Sequence, residues 1–141
     1  MTTSPEMRTM TESDLPAARR LWADTEGVEL AEGDSVAELT NYLRRNPGTS
    51  FVAYVGDQLV GAVLAGHDGR RGLLYHLAVT RELRGNGWGL KLVELSITAL
   101  KAAGLARALI LVSRENVVGE KFWIKQGWEP LAFAQPMGLD L

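Results

Sequence analysis

The sequence predicts an α/β fold around one mixed sheet, with elements in the order β-α-α-β-β-β-α-β-α-β. Three observations carry this. Two capping-box signatures, Thr11–Asp14 and Ser35–Glu38, open amphipathic helices early in the chain. Three β-like segments then succeed one another with only turn residues between them, which is the pattern of an antiparallel meander. Further on, an apolar strand, a long helix and a second apolar strand call for a parallel pair.

The elements follow in order. "EMRTM" reads as a short first strand. Behind Thr11–Asp14, Leu15, Ala18, Leu21 and Trp22 recur at helical spacing. Pro16 is tolerated in a first turn, and Gly27 is the expected stop. Leu39, Tyr42 and Leu43 mark a second helix, ended by "NPG" at 46–48. "SFVAYV" (50–55) and "LVGAVLAG" (59–66) flank a tight turn, and "LLYHLAV" (73–79) extends the meander. Gly89, Leu92, Val93, Ile97 and Leu100 then form one helical stripe, with Ser96 its only polar member. Gly104 suits the left-handed position past that helix. "RALILV" (107–112) is β-like, "GEKFWIKQG" (119–127) is helical, and "WEPLAFAQPMGLDL" is expected to supply one or two final strands.

The 141 residues suit a single domain, 1–141. Apolar residues make up 46%, enough for a packed core. A net charge of −2 argues against nucleic-acid binding, which draws on excess cations. With no cysteine, disulfides, thiolate metal sites and cysteine nucleophiles are excluded, and no metal is expected. No stretch approaches the ~20 apolar residues of a membrane span, and "MTTSPEMRTM" has no apolar run of a signal peptide. A cytoplasmic location is the default expectation.

Between the third meander strand and the long helix lies Arg84-Gly85-Asn86-Gly87-Trp88-Gly89. One reading is a glycine-rich turn that lets the helix start close to the sheet. The other is an anion seat. A helix N-terminus has unpaired N–H groups and partial positive charge, and glycines let a diphosphate approach them. The dinucleotide fingerprint requires a different glycine spacing, and the Walker loop requires Lys-Ser/Thr where Leu90 stands.

Arg84-x-x-Gly87-x-Gly89 resembles the acetyl-CoA-binding motif of the GNAT superfamily, the acyl-CoA-dependent N-acyltransferases. Asn116-x-x-Gly119-x-x-Phe122-Trp123-x-x-x-Gly127-Trp128 is similar to that family's later motif, which usually has alanine, tyrosine and an aromatic at the positions of Gly119, Trp123 and Trp128. The element order resembles the family fold from residue 7 to the end. The resemblance implies an acetyl group moved from acetyl-CoA to a primary amine, of a small molecule or a protein N-terminus, by direct attack in a ternary complex. It also implies a splayed pair of strands with the pantetheine arm between them, and dimers are frequent in the family.

Carried over residue by residue, Leu77 and Val79 would offer backbone groups to the arm, and the Leu77 N–H would polarise the thioester carbonyl. N–H groups of Arg84, Gly85, Asn86, Gly87, Trp88, Gly89 and Leu90 would hold the pyrophosphate. Arg84 would add charge or brace the loop; Trp88 packs. Asn116 would bond the pantetheine arm or cap a helix, and Phe122 and Trp123 would adjoin the cofactor. Strand alternation puts Leu73, Tyr75, Leu77 and Val79 on one face and His76 on the other, so Tyr75 faces the substrate and His76 reads as structural. His67 sits in a turn. Trp123 replaces the tyrosine thought to protonate the thiolate, and indole is not a proton acid here. A thiol pKa of ~8.5 still makes the thiolate a tolerable leaving group. Trp22, Glu26 and Glu29 are the acceptor-side candidates, in a segment that also holds Glu32 and Asp34; solvated loop acids are the plainer reading. Two alternatives remain: a domain that binds acyl-CoA with little or no transfer, and an interaction domain without cofactor.

Overall fold

A computed structural model describes residues 4–141. Its contacts define two compact units, one ending at Leu111 and one spanning Val112–Leu141.

The first unit holds strands β1 (Glu6–Thr9), β2 (Phe51–Val55), β3 (Gln58–His67), β4 (Gly72–Val79) and β5 (Ala108–Ile110). They lie side by side in chain order, antiparallel from β1 to β4 and parallel between β4 and β5. Helices α1 (Leu15–Ala23) and α2 (Val36–Arg45) precede β2, and α3 (Trp88–Ala102) makes the crossover. Both capping boxes form. The Asp14 carboxylate accepts the Thr11 N–H at 2.8 Å, and Ser35 Oγ accepts the Glu38 N–H at 3.1 Å. A 3-10 turn at Glu12–Asp14 leads into α1. The helix stops at Ala23, short of Gly27, where the Thr25 hydroxyl and N–H turn back to the carbonyls of Leu21 and Trp22.

Alternation along β3 assigns the two sheet faces. Ala62 and Leu64 join Leu15, Ala18, Trp22, Leu39 and Leu43 in the core beneath α1 and α2. A Cβ on Gly61 would stand 3.0 Å from Leu92 of α3, so Gly61 faces the other way. On α3, Leu92, Val93, Ser96 and Leu100 are buried, and Ser96 Oγ donates to the Thr49 carbonyl at 2.8 Å. The predicted polar member of that stripe is therefore satisfied.

In the second unit, α4 (Val117–Lys125) forms as expected, but no strand follows. Pro130 and Pro136 lack the N–H that a ladder needs, and a turn returns the Ala134 N–H to the Leu131 carbonyl. The expected final strands are thus replaced by irregular chain.

Candidate active site

The sequence predicts plain alternation along β4, and the ladder departs from it. Tyr75 pairs with Leu64 and Ala78 with Ala62, leaving His76 and Leu77 together opposite Val63. This is a β-bulge, and His76 takes its strained position with φ 53. The extra residue corrects the predicted faces. Tyr75 and Ala78 pack with the α1/α2 core, while Leu77 and Val79 lie on the α3 side, within 3.9 Å of where a Gly89 Cβ would be. Tyr75 and Leu77 therefore do not share a face. His76 turns to the α1/α2 side, beside Tyr75 at a ring separation of 6.1 Å.

The structural reading of His76 stands, with partners the sequence did not reveal. Its Nε2 lies 3.0 Å from Asp34 Oδ1, and its ring packs 5.2 Å from that of Trp22. Tyr75 packs edge-on to Tyr42 at 6.5 Å. Burial first, and then the charge of Asp34, holds the Tyr75 phenol above its ordinary pKa, so at neutral pH it is a hydrogen-bond donor.

β5 pairs only with Gly72, Leu73 and Leu74. From Tyr75 to Val79, β4 has no ladder partner on the β5 side. A 3-10 turn at Arg81–Leu83 separates this free edge from the glycine loop. Gly85 and Gly87 have φ of 80 and 84, a region that side chains disfavour, and Gly87 is the N-cap of α3. A Cβ at either position would meet nothing within 4 Å, so the space above the loop is open. Gly89 needs no special backbone, and its missing Cβ faces Leu77 and Val79. The loop braces itself: Arg84 Nε donates to the Val79 carbonyl at 2.8 Å, and Asn86 Nδ2 donates to the Leu83 and Arg84 carbonyls. The Arg84 side chain is thus tied to the end of β4. Trp88 is half-buried, as a packing residue should be, though its Nε1 has no hydrogen-bond partner among the described residues.

On the acceptor side, Trp22 is corrected. It is wholly buried, because its spacing from Leu15 and Ala18 places it on the inward stripe of α1. Its Nε1 finds no hydrogen-bond partner among the described residues. Glu26 and Glu29 are exposed on the segment between α1 and α2. An open cavity of about 720 Å³ lies on the same side of the sheet as α1, lined in part by Arg20, Leu21, Asp24, Leu59 and Thr80.

Within the second unit, Asn116 caps α4, its Oδ1 accepting the Gly119 N–H at 2.9 Å. The Asn116 amide occupies the place a Gly119 Cβ would take, so glycine there and asparagine at the cap depend on each other. Trp123 stacks edge-on with Phe122 at 5.0 Å and with Trp128 at 5.3 Å. Among the described residues no cluster of metal-ligating side chains occurs, and no helix is long and apolar enough to cross a membrane.

Comparison with known proteins identifies the family and the fold. Residues 11–128 match the model of the acetyltransferase (GNAT) family. A Yersinia enterocolitica protein called an acetyltransferase is 31% identical over 113 residues, 79% of this chain and 78% of that one. The Ard1 protein of Thermoplasma volcanium shares the fold with a TM-score of 0.76 at 19% identity, over 89% of this chain and 82% of its own. The PaiA N-acetyltransferase of Thermoplasma acidophilum, solved in complex with coenzyme A, does so with a TM-score of 0.71 at 22% identity, over 88% and 89%. The chain belongs to the GNAT family of acetyltransferases and is, by that membership, an acyl-CoA N-acyltransferase.

Proposed function

We propose that the protein transfers an acetyl group from acetyl-CoA to a primary amine, within a complex that holds both substrates. One observation supports this most: the left-handed Gly87 N-cap starts α3 under open space, and in the same first turn the missing Cβ of Gly89 faces Leu77 and Val79, on the stretch of β4 without a partner on its β5 side. The N–H groups of residues 84–90 hold the pyrophosphate, and the pantetheine arm runs along β4 from Val79 toward Leu77. The Leu77 N–H, at the bulge, polarises the thioester carbonyl.

The neutral amine nitrogen attacks the thioester carbon, the carbon–sulfur bond breaks, and CoA leaves as thiolate. Water takes the proton the amine sheds and protonates the thiolate. Tyr75, packed with the α1/α2 core, stays protonated at neutral pH and does not act as base. Catalysis by positioning and carbonyl polarisation carries the rate. Glu26 and Glu29 draw a cationic acceptor toward the cleft, and it gives its ammonium proton to water before it attacks.

A panel of small primary amines and peptides with free N-termini, assayed for CoA released from acetyl-CoA, tests this. Release with at least one acceptor class is expected. Silence across both classes, with acetyl-CoA still bound, would favour the second reading, an acyl-CoA-binding domain; the indole at Trp123 is what favours that reading.

A further inference from the structure

The bulge in β4 has a consequence on the acceptor side. His76 is the one non-glycine among the described residues with a positive φ. A side chain is kept in that region where its surroundings over-determine it. Here the surroundings are a carboxylate and two rings. His76 Nε2 lies 3.0 Å from Asp34 Oδ1, and the two side chains are only 14% and 13% exposed. Trp22 and Tyr75 flank the imidazole at 5.2 and 6.1 Å. Without the bulge, alternation would aim His76 at α3, away from Asp34.

Asp34 gathers three elements. Its Oδ2 accepts the Ala31 N–H at 3.0 Å, and its backbone carbonyl accepts Arg19 Nε of α1 at 2.7 Å. The next residue, Ser35, caps α2. Val28 and Leu30 of the same segment pack against the core. The His76 contact is the polar tie from this segment to β4, one residue from Leu77.

We propose that the His76–Asp34 pair is a latch that fixes the segment between α1 and α2 against β4, and that it sets affinity for the acceptor amine without joining the acyl transfer. The acceptor role rests on the function proposed above; the latch itself does not. His76 is thus a positioning residue.

Amide hydrogen exchange across residues 24–35 tests the latch on three proteins: wild type, His76→Asn and His76→Gln. Asparagine tolerates the left-handed backbone but is too short to reach Asp34, whereas glutamine reaches it. Exchange in that segment is expected to rise about tenfold in His76→Asn, to stay unchanged in β2 and β3, and to be largely restored in His76→Gln. Unchanged exchange in His76→Asn would overturn the latch, whether or not an acceptor has been found. On an amine that the wild type acetylates, His76→Asn should raise the KM for the amine and leave kcat and the KM for acetyl-CoA alone. Faster exchange with an unchanged amine KM, or a fall in kcat instead, would overturn the acceptor role. Failure of the wild type to bind acetyl-CoA would overturn the acyltransfer reading and leave the exchange result standing.

Discussion

Arg84 Nε donates to the Val79 carbonyl at 2.8 Å, tying the glycine loop to the last residue of β4. The two regions proposed to hold the pyrophosphate and the arm are thereby set against each other. Removing the tie in Arg84→Ala should weaken acetyl-CoA binding by about tenfold, read by calorimetry. Arg84→Lys keeps the charge and loses the planar fork. It should bind as weakly as Arg84→Ala. Wild-type affinity in Arg84→Lys would mean that charge, not bracing, is what matters.

Asp14 is expected to dominate acid stability. It is 1% exposed and accepts from Arg8 through both oxygens at 2.8 Å, from the Tyr54 hydroxyl at 2.6 Å and from the Thr11 N–H at 2.8 Å. Burial pushes its pKa up, but the hydrogen bonds from Arg8, Tyr54 and Thr11 outweigh it and hold the carboxyl below its ordinary 3.8. The folded pKa being the lower one, this stabilisation is full above about pH 4 and is lost as the pH falls through the folded pKa. Asp14→Asn should lower stability by about 2 kcal/mol at neutral pH and flatten the acid limb. Urea unfolding across the acid range checks both; an unaltered acid limb would refute the assignment.

Asn116 and Gly119 should show strong coupling. Asn116→Ala removes the cap of α4 and should cost about 1 kcal/mol of local stability. Gly119→Ala places a methyl where the Asn116 amide sits, so it too should open the cap. With the amide already gone, the same methyl has room, and its helix propensity is worth about 1 kcal/mol. The double variant should therefore be at least as stable as Asn116→Ala alone. Exchange at the amides of α4 reads this, and additive losses would contradict it.

Trp123 is expected to pack rather than to carry a proton. Trp123→Phe keeps an aromatic between Phe122 and Trp128. Its kcat, measured as CoA release, should fall by less than about tenfold. A loss of about a thousandfold with acetyl-CoA affinity intact would give the indole a direct part in the chemistry.

The sequence reveals the frame of this protein more readily than its acceptor side. Helix starts, meander and crossover depend on neighbouring residues, so the capping boxes, the turns and the glycine spacing are all legible. The glycine loop is legible for the same reason, because Gly85 and Gly87 record their φ in their identity. The bulge at His76–Leu77 left no such mark, since a histidine occupies the position that favours glycine. Strand alternation accordingly misassigned the faces of Tyr75 and His76. Asp34 stood among four acids of one segment, and nothing local told it from Glu26, Glu29 and Glu32. Its partner lies 42 residues away. Trp22, an acceptor-side candidate by sequence, lies on a helical spacing that already points it inward. The tail from Trp128 is apolar enough for a strand, but its prolines remove the donors.

Residues 84–90 are proposed above to seat the phosphates of acetyl-CoA. Gly89 tests it without disturbing the fold, because its backbone suits any residue and a Cβ there meets Val79 and Leu77 at ordinary distances of 3.8 and 3.9 Å. Calorimetric titration with acetyl-CoA should give equal affinity for wild type and Gly89→Ala. In Gly89→Glu, a carboxylate in the first turn of α3 should weaken binding by about a hundredfold at unchanged thermal stability. Wild-type affinity in Gly89→Glu, or no binding by the wild type at micromolar acetyl-CoA, would contradict the claim.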